Sequence, residues 1–378
     1  MPRPRVDLVY FNAGAGHRSA TLALEAVLKQ QQRPWDIRLV NLNDVMAPTD
    51  MFRKLTGRGL EDIYNLLLKK GWTLGTRQAL PIMHGLIRLY HSPQVALIEQ
   101  FWRQDTPDLA VSLIPNFNRA MLQALRRITP RTPFVTILTD MADFPPHFWL
   151  EPQEQHVICG TAKAIEQARA MGHTPDRIHA VSGMILRPAF YELPQWDRAA
   201  ELTKLGLDPS RPTGLALFGG QGAPVMADLV RRLQTASRPL QLILLCGHND
   251  SLAARLRALP TRIPIHVEGF TTEVPRFMAI SDFMIGKPGP GSISEAMAMR
   301  LPVIVERNAW TMPQERYNCD WLLERDAGIV LKNFRHIGPA IEQLLQPGTL
   351  DRMRANAAAI HNRAVFEIAD ILAGLLPE

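Results

Sequence analysis

Cysteine is scarce in this chain. Cys159, Cys246 and Cys319 are the only three among 378 residues, and they are isolated and odd in number. That excludes a disulfide framework, and no Cys or His spacing matches a zinc site. Cys159 and Cys246 end strand-like apolar runs and are expected in the core. Long hydrophobic runs are also missing. No 18-residue apolar stretch is free of charge, so no spanning helix is expected. The first ten residues, with Arg3 and Arg5, hold no apolar stretch of signal-peptide length. These absences together imply a reducing, cytoplasmic setting. No recognised nucleic-acid motif is present, so the basic balance needs another partner.

What is present is a large apolar fraction, 46%, enough for the cores of two ordinary domains. Net charge is +6 with a pI near 9.4. Part of that charge lies in residues 51–103, where eight basic residues face only Glu61, Asp62 and Glu99. The same segment interleaves Trp72, Tyr90 and several leucines. Basic plus bulky apolar composition suits either an anionic membrane interface or helices with solvated basic faces.

Strand-like and helix-like signals alternate throughout. Strands are expected at 6–11, 37–42, 109–114, 134–139, 156–159 and 178–181, then at 214–218, 240–246, 265–267, 283–285 and 302–305. Strands alternating with helices imply parallel sheets covered on both faces. The fold class is therefore α/β, with two doubly wound Rossmann-like domains. The expected division is 1–190, 191–355 and a terminal helical piece, 356–378, packing back across the domain boundary.

The most telling stretch is Gly286-Lys-Pro-Gly-Pro-Gly-Ser292, which leads into a helical run at 294–299. Glycine lets backbone approach a ligand, and a helix N-terminus offers unpaired N–H groups to phosphate. Glu295, expected in the first turn, is placed to accept from ribose hydroxyls. That is nucleotide-sugar chemistry; the plain alternative is a tight strand-to-helix connection without a ligand. Phe218-Gly-Gly-Gln-Gly222 repeats the pattern. His17 follows the Gly-rich turn 12–17, at the edge where open α/β sheets bind ligands. An imidazole there suits a general base, and a helix N-terminus would favour its neutral form. Asp140, at the end of another strand of the same sheet, is the rival base or an acceptor contact.

Several motifs, in this order and spacing, resemble the glycolipid synthases that make monogalactosyl- or glucosyl-diacylglycerol. The enzyme that adds N-acetylglucosamine to make lipid II is a more distant likeness. The residues are Asn12-Ala-Gly-Ala-Gly-His-Arg-Ser-Ala20, Val135-Thr-Ile-Leu-Thr-Asp140, His147-Phe-Trp149, 181–190, 218–222, Cys246-Gly247, Gly269-Phe-Thr271, Lys287–Gly291, Ser294-Glu295 and Gln314-Glu315. The resemblance implies a GT-B fold with an interdomain cleft, a first domain facing acceptor and membrane, and a second domain holding a UDP-sugar. It implies an inverting hexosyl transfer to a lipid such as diacylglycerol. A UDP-N-acetylglucosamine 2-epimerase-like isomerase, or transfer to a soluble or polyprenyl-linked acceptor, is the alternative.

By the same resemblance, Gly219, Gly220, Gln221 and Gly222 meet the diphosphate, with Gly247 beside them. Phe270 and Thr271 meet uracil, and Glu295 the ribose. Gln314 and Glu315 meet the sugar. Lys287, Gly289, Pro290, Gly291 and Ser292 form the second phosphate loop, and Gly14 and Gly16 flank His17. No Asp-x-Asp occurs, so no metal is expected. The expected partners are a UDP-sugar, a lipid acceptor and an anionic membrane surface, with the protein held peripherally on its cytoplasmic face.

Overall fold

The computed structural model describes residues 3–12, 15–47, 90–192 and 194–376. The chain divides into two compact units. One is Met1–Pro188 with Met312–Gln314 and Asn362–Glu378; the other is Ala189–Thr311 with Glu315–His361. Each unit carries one parallel six-stranded sheet.

The first sheet is built from β1 (Arg5–Tyr10), β2 (Asp36–Asn41), β3 (Leu109–Ser112), β4 (Phe134–Ile137), β5 (His156–Cys159) and β6 (Ile178–Ala180). Their spatial order is β2-β1-β3-β4-β5-β6. Every residue of β3 and β4 is buried, which is why they read as continuous apolar runs rather than alternating ones. The helix Asn118–Ile128 buries Ala120, Met121, Leu122, Ala124 and Leu125. Together with Val95, Ile98 and Trp102 of the helix His91–Gln104, they make one core cluster. Each fully buried large apolar side chain contributes about 1.5–3 kcal/mol over an exposed one.

Asp7 lies inside this apolar strand and is fully buried. Arg38 of β2 meets both its oxygens, at 2.8 and 2.6 Å, and Trp102 donates its indole N–H at 2.9 Å. A buried charge is tolerated when it is paired and hydrogen-bonded in this way.

The second sheet contains β7 (Thr213–Leu217), β8 (Gln241–Leu245), β9 (Ile265–Glu268), β10 (Phe283–Gly286), β11 (Val303–Glu306) and β12 (Gly328–Leu331). Their order is β12-β11-β10-β7-β8-β9. The eleven expected strands all form, with ends shifted by at most two residues. β12 is an addition that the sequence reading did not contain. It is a four-residue edge strand, Gly-Ile-Val-Leu, whose last two residues are only partly buried. Cys159, Cys246 and Cys319 are all buried free thiols, and burial pushes Cys159 and Cys319 up to about 12 and Cys246 to about 11.

The last helix, Ala364–Leu375, belongs to the first unit. Its approach is fixed by Asn362 Nδ2 donating to the Met184 carbonyl at 2.9 Å and by the Ser182 N–H reaching Glu367 at 2.7 Å. Most of the basic segment 51–103 lies outside the described residues. Only its end, Tyr90 and the helix His91–Gln104, is described.

Candidate functional site

In an open parallel sheet, a crevice forms where the strand order reverses, at the carboxyl ends of the two strands involved. In the second sheet the chain runs β7, β8, β9 outward and then crosses to β10 on the other side of β7. The reversal therefore lies between β7 and β10. The two expected glycine-rich loops are the segments leaving those two strands.

The loop after β7 turns tightly, with Gly219 and Gly222 at positive φ, 81° and 56°. The Gly222 N–H closes the turn on the Gly219 carbonyl at 3.1 Å. The loop after β8 packs directly on it. The His248 N–H donates to the Gly220 carbonyl at 2.9 Å, and Asn249 Nδ2 to the Gln221 carbonyl at 3.1 Å. Gly247 has φ 57°, and a Cβ there would lie 2.2 Å from the Gly220 oxygen. Gly220 itself has no atom within 4 Å of where a Cβ would stand. It is an open strip of backbone.

The loop after β10 differs from expectation in one respect. The helix begins at Pro290, not near Ser294, with Gly289 as its N-cap. Proline is pre-set for the first helical position and its missing N–H costs nothing there. Gly291 and Ser292 thus belong to the first turn, and Glu295 falls in the second turn. Its expected first-turn position is corrected. Ser292 Oγ donates to the Gly289 carbonyl at 3.2 Å.

Lys287 was expected either at the diphosphate or simply exposed. Its side chain is 47% exposed, and its ammonium lies 3.1 Å from Glu315 Oε1. Glu315 ends the short turn Pro313–Glu315 and precedes the helix Arg316–Glu324. Gln314 lies in the same turn, with its amide near Met312 Sδ at 4.0 Å. After β9, Phe270 is 59% exposed and stacks on His248, with ring centroids 4.0 Å apart and planes at 18°. Thr271 Oγ1 accepts from the Glu273 N–H at 3.0 Å. His248 was not singled out from sequence. Its only signal was its place after Cys246-Gly247.

The first sheet reverses between β1 and β3, and His17 lies on the helix leaving β1, Ala15–Gln30. Its Nδ1 is 3.0 Å from Thr139 Oγ1, beyond the end of β4. Its ring centroid is 5.7 Å from that of Trp149, which is fully buried. Trp149 Nε1 in turn donates to Asp140 Oδ2 at 2.9 Å. The two base candidates therefore share one cluster, bridged by an indole. Asp140 stands three residues past β4 rather than at its end. Gly14 lies outside the described residues, whereas Gly16 has open space around it.

Burial pushes the His17 imidazole down to about 4, against a smaller upward pull from a hydrogen bond to the Leu113 backbone. The ring is neutral at physiological pH, as expected, but the cause is desolvation rather than the helix dipole. Asp143 is a different kind of carboxylate. It accepts N–H groups from His147 at 3.0 Å and Trp149 at 2.6 Å, and burial raises its pKa above the usual range while those bonds oppose the rise. Asp143 fixes the loop that presents Trp149. Among the described residues no group of three or more His, Cys, Asp or Glu is arranged to hold a metal.

Residues 215–372 match the Glycosyltransferase family 28 C-terminal domain. The chain is 28% identical to monogalactosyldiacylglycerol synthase of Spinacia oleracea over 96% of its own length and 71% of that protein. It is 26% identical to monogalactosyldiacylglycerol synthase 1 of Arabidopsis thaliana, over 97% and 70%. The chain is a glycosyltransferase similar to the monogalactosyldiacylglycerol synthases. Its fold is GT-B: the structure of Acinetobacter baumannii MurG superposes with a TM-score of 0.65 at 13% identity, covering 99% of this chain and all of that one. In this glycosyltransferase the family match covers the second sheet from Leu215 of β7 onward, with its loops.

Proposed function

We propose that this glycosyltransferase transfers a hexose, galactose foremost, from a UDP-sugar to diacylglycerol with inversion at the anomeric carbon. The likeness to two monogalactosyldiacylglycerol synthases over nearly the whole chain carries this reading. In it, the second unit holds the donor. Backbone N–H groups of the loops at Gly219–Gly222 and the helix Pro290–Ala298 take the diphosphate. The exposed face of Phe270 packs on uracil, with the Thr271 backbone beside it. Glu295 accepts from ribose hydroxyls, and Gln314 and Glu315 meet the sugar. His17 or Asp140, in the first unit, takes the proton of the acceptor hydroxyl. The acceptor oxygen bonds to the anomeric carbon as the sugar–phosphate bond breaks and UDP leaves. No metal is required, because fixed N–H dipoles stabilise the leaving group.

No helix of the described residues is long and apolar enough to cross a membrane. We place the protein peripherally on an anionic membrane surface through residues 51–103. Each basic residue near such a surface contributes about 1 kcal/mol, and salt screens it.

One assay tests these assignments. The protein is incubated with UDP-galactose, UDP-glucose or UDP-N-acetylglucosamine and diacylglycerol vesicles, with and without acidic lipid, and products are read by mass spectrometry. Hexosyl-diacylglycerol should form from UDP-galactose, faster on acidic vesicles, and persist in excess EDTA. An epimer formed from UDP-N-acetylglucosamine without acceptor would favour the isomerase. Loss in EDTA with rescue by Mg²⁺ would refute metal independence, and equal rates on neutral vesicles would remove the anionic surface.

Glu295 provides a narrower test. Glu295→Ala should weaken UDP binding by about 1–3 kcal/mol, as expected for a lost charged hydrogen-bond partner. Unchanged affinity in a UDP titration would take Glu295 out of the ribose site.

A further inference from the structure

Lys287 leaves the C-terminal end of β10 at the point where the second sheet reverses. Its stem passes close to two glycines from the two loops that flank this point. A Cβ at Gly219 would lie 3.8 Å from Lys287 Cε, and one at Gly289 would lie 3.4 Å from it and 3.7 Å from Glu315 Oε1. Both are ordinary contact distances, and beyond the two glycines the ammonium reaches Glu315 Oε1 at 3.1 Å.

The pair is lopsided. The Glu315 side chain is 12% exposed and that of Lys287 47%. A carboxylate so nearly buried needs a fixed countercharge, while the lysine does not need the acid. A second tie holds the same elements together: Asn318 Nδ2, on the helix after Glu315, donates to the Pro288 carbonyl at 2.7 Å. Lysine and proline are neighbours, so Glu315 and the helix after it are held against the β10 loop at two adjacent points.

We infer that Lys287 is a positioning residue for the donor sugar. It occupies Oε1 of Glu315, fixes the plane of the carboxylate, and leaves Oε2 to accept from the sugar hydroxyls. This assignment rests on the reading that Glu315 meets the sugar, and it differs from a role for Lys287 as a diphosphate cation. A diphosphate cation serves UDP and UDP-sugar alike. A residue that aims Glu315 serves only the part of the donor that UDP lacks.

The test uses the full chain and Lys287→Met, Lys287→Arg, Glu315→Gln and the Lys287→Met/Glu315→Gln double variant. Affinities for UDP and for UDP-galactose are measured by titration without acceptor, so they do not depend on turnover. With Lys287→Met, UDP affinity should stay within about twofold, whereas UDP-galactose affinity should fall about tenfold or more, the scale of one charged hydrogen bond. Lys287→Arg should restore most of it, because a guanidinium also reaches a carboxylate oxygen. The double variant should be no worse than Glu315→Gln alone, since coupled partners are not additive. Equal losses for UDP and UDP-galactose, or additive losses in the double variant, would overturn the inference. Wild-type protein that binds UDP-galactose but transfers nothing would instead sink the proposed function and leave this one standing.

Discussion

His17→Ala should lower kcat by about 10²–10⁴-fold, the usual range for a lost general base, with UDP affinity unchanged. The argument is one of position and charge. His17 lies at the reversal of the first sheet, and Thr139 holds its Nδ1 at 3.0 Å. In the tautomer whose Nδ1–H donates to Thr139 Oγ1, Nε2 is the basic nitrogen that takes the acceptor proton. Burial sets the pH dependence. With the imidazole pushed down to about 4, the base is neutral from there upward, so kcat/KM should be flat between about pH 5 and 8 and fall only near 4. A limb near 6.5 in the wild type would show that His17 titrates as a free imidazole or is not the base. Stability should move in the same direction. The folded value lies below the unfolded one, so the native state binds fewer protons as pH falls from about 6.5 to 4, and stability drops across that window. A limb near 4 is also where carboxylates titrate in general, so the profile alone does not separate His17 from Asp140. Asp140→Asn supplies the control. If it carries the large kcat loss while His17→Ala keeps wild-type kcat, Asp140 is the base.

Gly247→Ala should be the most damaging of the glycine substitutions in the donor loops, and Gly220→Ala the most informative. At Gly247 the backbone is left-handed and a Cβ would meet the Gly220 carbonyl at 2.2 Å. That is a clash of backbone on backbone, which no side-chain rotation relieves. Strain of this kind costs about 1–3 kcal/mol. For a unit of this size the melting temperature should then fall by about 2–4 °C per kcal/mol, and UDP binding should be lost as the two loops separate. Gly220 has open space where its Cβ would stand. Gly220→Ala should therefore melt with the wild type, yet bind UDP about tenfold or more weakly, because the methyl blocks the approach of diphosphate to backbone. Thermal denaturation and UDP titration read both effects. A Gly247→Ala protein with wild-type melting would contradict the packing argument, and wild-type UDP affinity in Gly220→Ala would remove this loop from the donor site.

Most of the architecture is a local property of the sequence. Buried parallel strands require apolar runs on their own residues, and the turns that end them require Gly, Pro or a capping side chain, so eleven of twelve strands and both glycine-rich loops can be read directly. The loops proposed for the donor are legible for the same reason, since a Gly-rich turn leading into a helix N-terminus is encoded within one short segment. The start of that helix was misplaced because Gly and Pro signal a loop in isolation, while Pro290 at the first helical position signals a helix. β12 carries its own apolar run, Ile329-Val-Leu331, and could have been read from it. The rest depends on strand order. That order puts Thr139 on His17 and the β8 loop on Gly220. Lys287 reaches Glu315, 28 residues away, and Trp149 bridges His17 and Asp140. Nothing in the spacing of these residues specifies the pairs. They meet because the sheet order and register bring the carboxyl ends of separate strands to one edge. The same closeness partly buries His17 and lowers its pKa, an effect that belongs to the packed environment and to no residue alone.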